Sequence, residues 1–360
     1  MGNSKIVKHY KYKNIAAALA VLLFVLVAAS SALTSDKKPQ TKTSDNSSSS
    51  SSESSVKKNS SSKAKDNALK LTENYKYETV KNGTELSTGN LVLVNDKHKF
   101  TGEPKDLDSV YSYLFNKSGE QIMSTSSTNL YAVEECFSRF NLLVSDFYKN
   151  TKLKTLMISD ALYIDENSEE QSDENSSLES MSVPTENGCY EHDTGLALDL
   201  HLYDADEGKY PAFTGSDKYS WISENCWKYG FILRYPADKK DVTGVSGLAN
   251  HFRYVGKISA QIMHEKNLIL EEYLDFVKDY SFEKPYSLRG QNGAVYAVYY
   301  VSADKGTTTN VPVPLKKDGT EYSYELSGNN VDGYIVIAEI ITGADEGTAS
   351  DDASTQKETA

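Results

Sequence analysis

The sequence predicts an α+β protein: a small mixed or antiparallel sheet with flanking helices, followed by a small C-terminal β module. Three observations predict it. Val133, Cys136, Phe137, Phe140 and Phe147 recur at helical spacing, so Leu130 to Lys149 should form a helix with one apolar face. After Gly195 the residues alternate, with Leu196, Leu198 and Leu200 on one side and Ala197, Asp199 and His201 on the other, the period of a strand. Past Phe282 the chain turns to Tyr- and Val-rich runs separated by Gly, Asn and Asp, which read as strands and turns.

Taken in order, the first residues carry Lys5, Lys8, Lys11 and Lys13 with no acidic residue among them, then an apolar run from Ile15 to Leu33. This is an inside-positive membrane segment. The expectation is a basic cytoplasmic tail over 1–14 and an uncleaved signal anchor over 15–33, although small residues from Ala28 to Ala32 also offer a cleavage site. The folded part would then be extracellular on a single-pass anchor. Residues 34–66 are rich in Ser, Lys and Asp, with an unbroken run at Ser47–Ser52. Such a stretch buries too little apolar surface to offset its ordering entropy and reads as a flexible spacer.

The main domain is expected over 67–281. Leu91 to Asn95 and Lys154 to Ser159 read as short strands. Glu166 to Glu179 is a polar surface insertion. Trp221, Cys226 and Trp227 fall on a helix before Tyr229–Pro236, and Val255 to Lys278 holds further helical sequence. The β module spans 282–342, with strands at Ala294–Val301, Asn310–Leu315 and Gly333–Ile340, and 343–360 is a disordered acidic tail.

Composition narrows the function classes. Thirty-eight Lys and Arg against 51 Asp and Glu give a net charge of −13. That balance opposes nucleic-acid binding, which wants basic surface. Cys136, Cys189 and Cys226 form no CxxC pair; one disulfide with one thiol left over is compatible with an exported protein.

The chemistry concentrates in two runs. EHDTGLALDL, Glu191 to Leu200, contains His192 and Asp199, and HFRYVG, His251 to Gly256, opens with His251. Two histidines and a carboxylate can hold a zinc ion with one position open. Two neighbouring strands would bring Asp199 and His251 together. A lone histidine in a strand is usually a hydrogen-bonded structural residue, which is how His201 reads; His9, His98 and His264 lack any motif context. Arg253 reads as structural. The acidic loop from Asp204 to Gly208 lacks the downstream spacing of a calcium loop and reads as a solvated turn.

These same runs resemble the D-alanyl-D-alanine carboxypeptidase (VanY-like) zinc peptidases. EHDTGLALDL is similar to the family's Ser-x-His-x-x-Gly-x-Ala-x-Asp motif, and HFRYVG to its Glu-Pro-Trp-His-[Phe/Tyr]-Arg-Tyr-Val-Gly block. YGFILRYP, Tyr229 to Pro236, and LVLVN, Leu91 to Asn95, resemble the intervening segment and the family's opening strand, so the likeness runs from Leu91 to Leu274. The resemblance implies that His192, Asp199 and His251 bind Zn2+, and that the partners are peptidoglycan stem peptides ending in D-Ala-D-Ala.

The departures are equally specific. The family's catalytic Glu falls on Leu248, its Pro on Ala249, its Trp on Asn250 and its first-motif Ser on Tyr190. A substrate-holding Arg falls on Leu162, in Ser159-Asp160-Ala161-Leu162. A positioned base contributes roughly 10²–10⁴-fold, so hydrolysis is expected to be impaired. Glu191, Asp193 or His201 could act through water in its place, but none occupies the family position. Two readings stay open: a carboxypeptidase with a relocated base, and a non-catalytic relative that binds cell-wall peptide or a partner through the same cleft.

Overall fold

The protein is described from a computed structural model, which describes residues 71, 74–164, 191–205 and 207–341. The basic tail, the apolar run, the Ser-rich spacer, the Glu166–Glu179 insertion, Cys189, Tyr190 and the acidic tail lie outside the described residues.

Chain order begins with β1 (Tyr75–Lys81), α1 (Asn82–Glu85), β2 (Leu107–Ser109), β3 (Ser124–Thr125) and β4 (Leu130–Val133). Helix α2 (Glu134–Thr151), β5 (Leu156–Asp160), β6 (Leu162–Tyr163), β7 (Ala197–Leu202) and α3 (Ser220–Asn225) follow. Then come β8 (Phe231–Tyr235), α4 (Lys240–Thr243), β9 (Leu248–Tyr254), α5 (Lys257–Lys266) and α6 (Leu270–Val277). The last strands are β10 (Tyr286–Arg289), β11 (Val295–Ser302), β12 (Thr308–Pro314), β13 (Tyr324–Gly328) and β14 (Gly333–Ile341).

A five-stranded sheet of order β3-β5-β7-β9-β8 forms the centre of the main domain. It is mixed: β3 runs parallel to β5, and the other pairs are antiparallel. The three leucines of the alternating run lie in its core with Phe137, Phe140, Phe147, Phe231 and Phe252. The expected helix over Leu130–Lys149 starts later. Leu130–Val133 pairs with β2 and β6, so these residues are drawn into a three-stranded sheet before the helix opens at Glu134. Tertiary pairing overrides the local helical period there.

Leu91–Val94 is buried but is not a strand. Irregular bonds hold it: Leu93 N–H donates to Asn329 O at 3.1 Å, and Arg253 Nη2 donates to Val92 O at 2.9 Å. A guanidinium at this position satisfies a carbonyl that a ladder partner would otherwise take.

The C-terminal strands make a four-stranded antiparallel sheet, β10-β11-β14-β13. Strand β14 is apolar on both sides because both sides are covered. Ile335 and Ile337 pack with Met263, Leu270 and Leu274 of α5 and α6, while Tyr334 and Val336 pack with Val80 of β1 and Val311 and Val313 of β12. Strand β1, which the sequence did not announce, pairs along its whole length with β12.

Candidate metal centre

The first ligand-type residue stands on a turn. Glu191–Thr194 forms a single 3₁₀ turn, closed by Thr194 Oγ1 donating to Glu191 O at 2.7 Å and by Gly195 N–H donating to His192 O at 2.9 Å. Gly195 has φ +68°, a left-handed conformation that glycine adopts without steric cost. The chain then enters β7, where Asp199 sits directly opposite His251 of β9. This register carries the site, because cross-strand partners point to the same face.

His192, Asp199 and His251 are all buried, and each offers one ligand atom within 4.8 Å of the other two. His192 Nδ1 lies 3.1 Å from Ala197 O; a carbonyl can only accept, so Nδ1 carries the proton. Its Nε2 is buried without a hydrogen-bond partner and stands 3.5 Å from Asp199 Oδ2. His251 Nδ1 lies 2.7 Å from Asp199 Oδ1, and its Nε2 lies 2.9 Å from Glu191 Oε2. The rings meet edge to face at 5.0 Å. An orphaned imidazole nitrogen, a carboxylate and a second imidazole nitrogen thus converge, and this donor set fits a metal ion.

The electrostatics agree with that fit. Burial acts against ionisation of Asp199, but the two imidazoles beside it hold its carboxyl far below the usual range. Burial alone would lower His251; Asp199 and Glu191, bonded at its two nitrogens, instead lift it to about 9. A divalent ion would replace the proton on Nδ1.

Behind His251 stands a charge network that the sequence did not announce. Glu191 Oε1 accepts from Arg234 Nε at 3.0 Å and from Arg253 Nη1 at 2.6 Å. Arg234 forks onto Glu271 of α6 at 2.9 and 2.7 Å. Both guanidiniums are completely buried. Burial works against a charged Glu191, yet Arg234, Arg253 and His251 hold its carboxyl well below the usual range. The signal available in the sequence was two arginines inside apolar, strand-like runs, where an unpaired charge is not tolerated.

The remaining sequence candidates separate. Asp193 is exposed, while His201 shares the face of Asp199 and has a buried Nδ1 without a hydrogen-bond partner. Leu248 opens β9 opposite Tyr235. Leu162 pairs with Tyr131. Past an irregularity at Ser159, strand β5 sets another carboxylate, Asp160, opposite Asp199. Arg253 is structural, bonded to Glu191 and to three backbone carbonyls. Cys136 and Cys226 are free and buried.

Fold and site together bring two histidines and one carboxylate, borne by one turn and two paired strands of a mixed sheet, to a place whose donors fit a metal ion. Residues 152–257 match the family model of D-alanyl-D-alanine carboxypeptidase, VanY. A D-alanyl-D-alanine carboxypeptidase of Enterococcus faecium is 35% identical over 277 residues, which cover 74% of this chain and 80% of that protein. Another from Enterococcus faecalis is 42% identical over 98 residues, covering 27% of this chain and 33% of that one. The chain belongs to the D-alanyl-D-alanine carboxypeptidase family. Among solved structures, the vancomycin-resistance D,D-dipeptidase VanXYg, in complex with a D-Ala-D-Ala phosphinate analogue, superposes with a TM-score of 0.56 at 25% identity, covering 73% of this chain and 98% of that one.

Proposed function

We propose that this chain is a zinc-binding D-alanyl-D-alanine carboxypeptidase-like protein that engages peptidoglycan stem peptides and hydrolyses them poorly. The observation that carries the reading is the convergence of His192 Nε2, Asp199 and His251 Nδ1, all buried, with each imidazole oriented by a partner at its other nitrogen. A zinc ion held there would polarise a peptide carbonyl and acidify a bound water. The chain's own residues supply less. The position three residues before His251 is Leu248, which accepts no proton. Glu191 is engaged by two guanidiniums and an imidazole. Leu162 offers no cation for a terminal carboxylate.

The N-terminal lysines and the apolar run support a single-pass membrane tether with the folded part outside the cell. Among the described residues no helix is long and apolar enough to cross a membrane; Ile15–Leu33 lies outside them. A second reading, a non-catalytic binder of wall peptide, draws its support from Leu248 and the engaged Glu191.

The test is D-alanine release from a stem pentapeptide by zinc-loaded protein, with His192→Ala alongside. We expect release slow by roughly 10²–10⁴-fold relative to a family enzyme with its base. Rapid release that disappears in His192→Ala would sink the impaired reading and direct attention to Asp160 and Asp193 as carboxylates that could activate water. Binding without release would favour the second reading.

A further inference from the structure

We propose that Glu191 is a positioning residue of the metal centre: its carboxylate accepts the Nε2 proton of His251, commits Nδ1 to the metal, and is itself held in place by Arg234 and Arg253. The inference rests on the metal-binding reading above and assigns a role to a residue outside the ligand set.

The geometry carries it. Glu191 Oε2 sits 2.9 Å from Nε2, while Asp199 Oδ1 sits 2.7 Å from Nδ1, so the imidazole ring lies between Glu191 and the place where the ligand atoms converge. Glu191 is therefore on the wrong side of His251 to take a proton from metal-bound water. Its other oxygen receives Arg234 Nε and Arg253 Nη1, and none of the four side chains is appreciably exposed. A carboxylate fixed by two buried cations cannot swing around the ring. A ligating histidine that donates its second N–H to a carboxylate is fixed in tautomer and orientation, and losing that partner costs about 10–100-fold in metal affinity. Here the adjacency is direct: Glu191 precedes His192, so one 3₁₀ turn delivers a ligand and the partner of the opposite ligand. The chain of contacts then extends through Arg234 to Glu271, fixing the centre to α6.

The competing account is that Glu191 only neutralises two buried arginines. Glu191→Asp separates the two, because it keeps the charge for the arginines and withdraws the carboxylate from His251 by one methylene. Zinc affinity, read by competition with a chelator on folded protein, should fall about 10–100-fold in Glu191→Asp and stay at the parent value in Glu272→Gln, whose carboxylate pairs with Lys239 outside this network. In the zinc-loaded parent, imidazole NMR should find a protected proton on His251 Nε2. A proton on Nδ1 instead, unchanged affinity in folded Glu191→Asp, or equal losses in both variants would overturn the proposal. The NMR result decides even if Glu191→Asp does not fold. Failure of the parent to take up zinc would bring down the metal-binding reading, and this inference with it; zinc uptake by the parent with an unaltered Glu191→Asp removes this inference alone.

Discussion

Gly195 shows how much one residue controls here. Its φ of +68° lets the turn bearing His192 feed β7, and an added Cβ would come within 3.1 Å of Leu107 Cδ2 and 3.3 Å of Val133 N. Gly195→Ala should destabilise the protein by about 1–3 kcal/mol and weaken zinc binding, measured by urea unfolding and chelator competition. Wild-type stability with wild-type zinc affinity would contradict this account of the turn. Glu272 is a contrasting case on the surface side of α6. It accepts from Lys239 Nζ at 2.9 Å and from Ile269 N–H at 3.1 Å. Burial opposes its ionisation, but Lys239 and the helix-end N–H hold its carboxyl below the ordinary range. A carboxyl depressed on folding contributes stability that is present above its unfolded pKa, about 4.3, and lost as pH falls through the folded value. Because the pair is partly exposed, Glu272→Gln should cost no more than about 1 kcal/mol at pH 7. The gap between variant and parent should narrow as pH falls below the ordinary glutamate range. A gap that widens on acidification would reverse the sign of this argument.

Helix α2 and strand β8 meet through their aromatic residues. Phe140 and Phe231, both completely buried, lie edge to face at 5.6 Å, and Asp146 of α2 accepts from Tyr229 Oη just before β8. Phe140→Ala should remove about 3–5 kcal/mol of stability, visible as a lowered urea midpoint with little change in slope. A much smaller loss would mean that the core collapses around the missing ring. Strand β9 bears most of the site's organisation, since its alternation places Phe252 and Tyr254 in the core and His251 and Arg253 in the polar network.

At the scale of the molecule, the C-terminal β module shares its packing with the main domain. Ile335 and Ile337 complete the core of α5 and α6, β1 from the N-terminal side of the main domain pairs with β12, and Asn329 and Asn330 bond the Leu93 segment. We expect one cooperative unfolding transition for the folded part, and two separated calorimetric transitions would refute the shared core. Zinc binding to the native state alone should raise stability by about 2.7 kcal/mol at free zinc 100 times Kd. That gain should vanish with chelator and be absent in His192→Ala.

The orientation of Asp199 was legible in the sequence because the alternating run fixes strand parity: once Leu196, Leu198 and Leu200 face a core, Asp199 must face the other way. His192 and His251 were singled out by the motif runs that hold them, and the fold brings both to Asp199. What the tertiary structure decided is everything that depends on pairing between distant segments. The strand at Leu130–Val133, the irregular course of Leu91–Val94 and the β1–β12 ladder depend on partners that no local periodicity names. The fate of Glu191 is the sharpest instance. Sequence proximity offered it as a substitute base, whereas Arg234, Arg253 and His251, between 43 and 62 positions away along the chain, surround it and place it behind the ring. Burial without water made those charges find one another, and only the folded chain could bring them together.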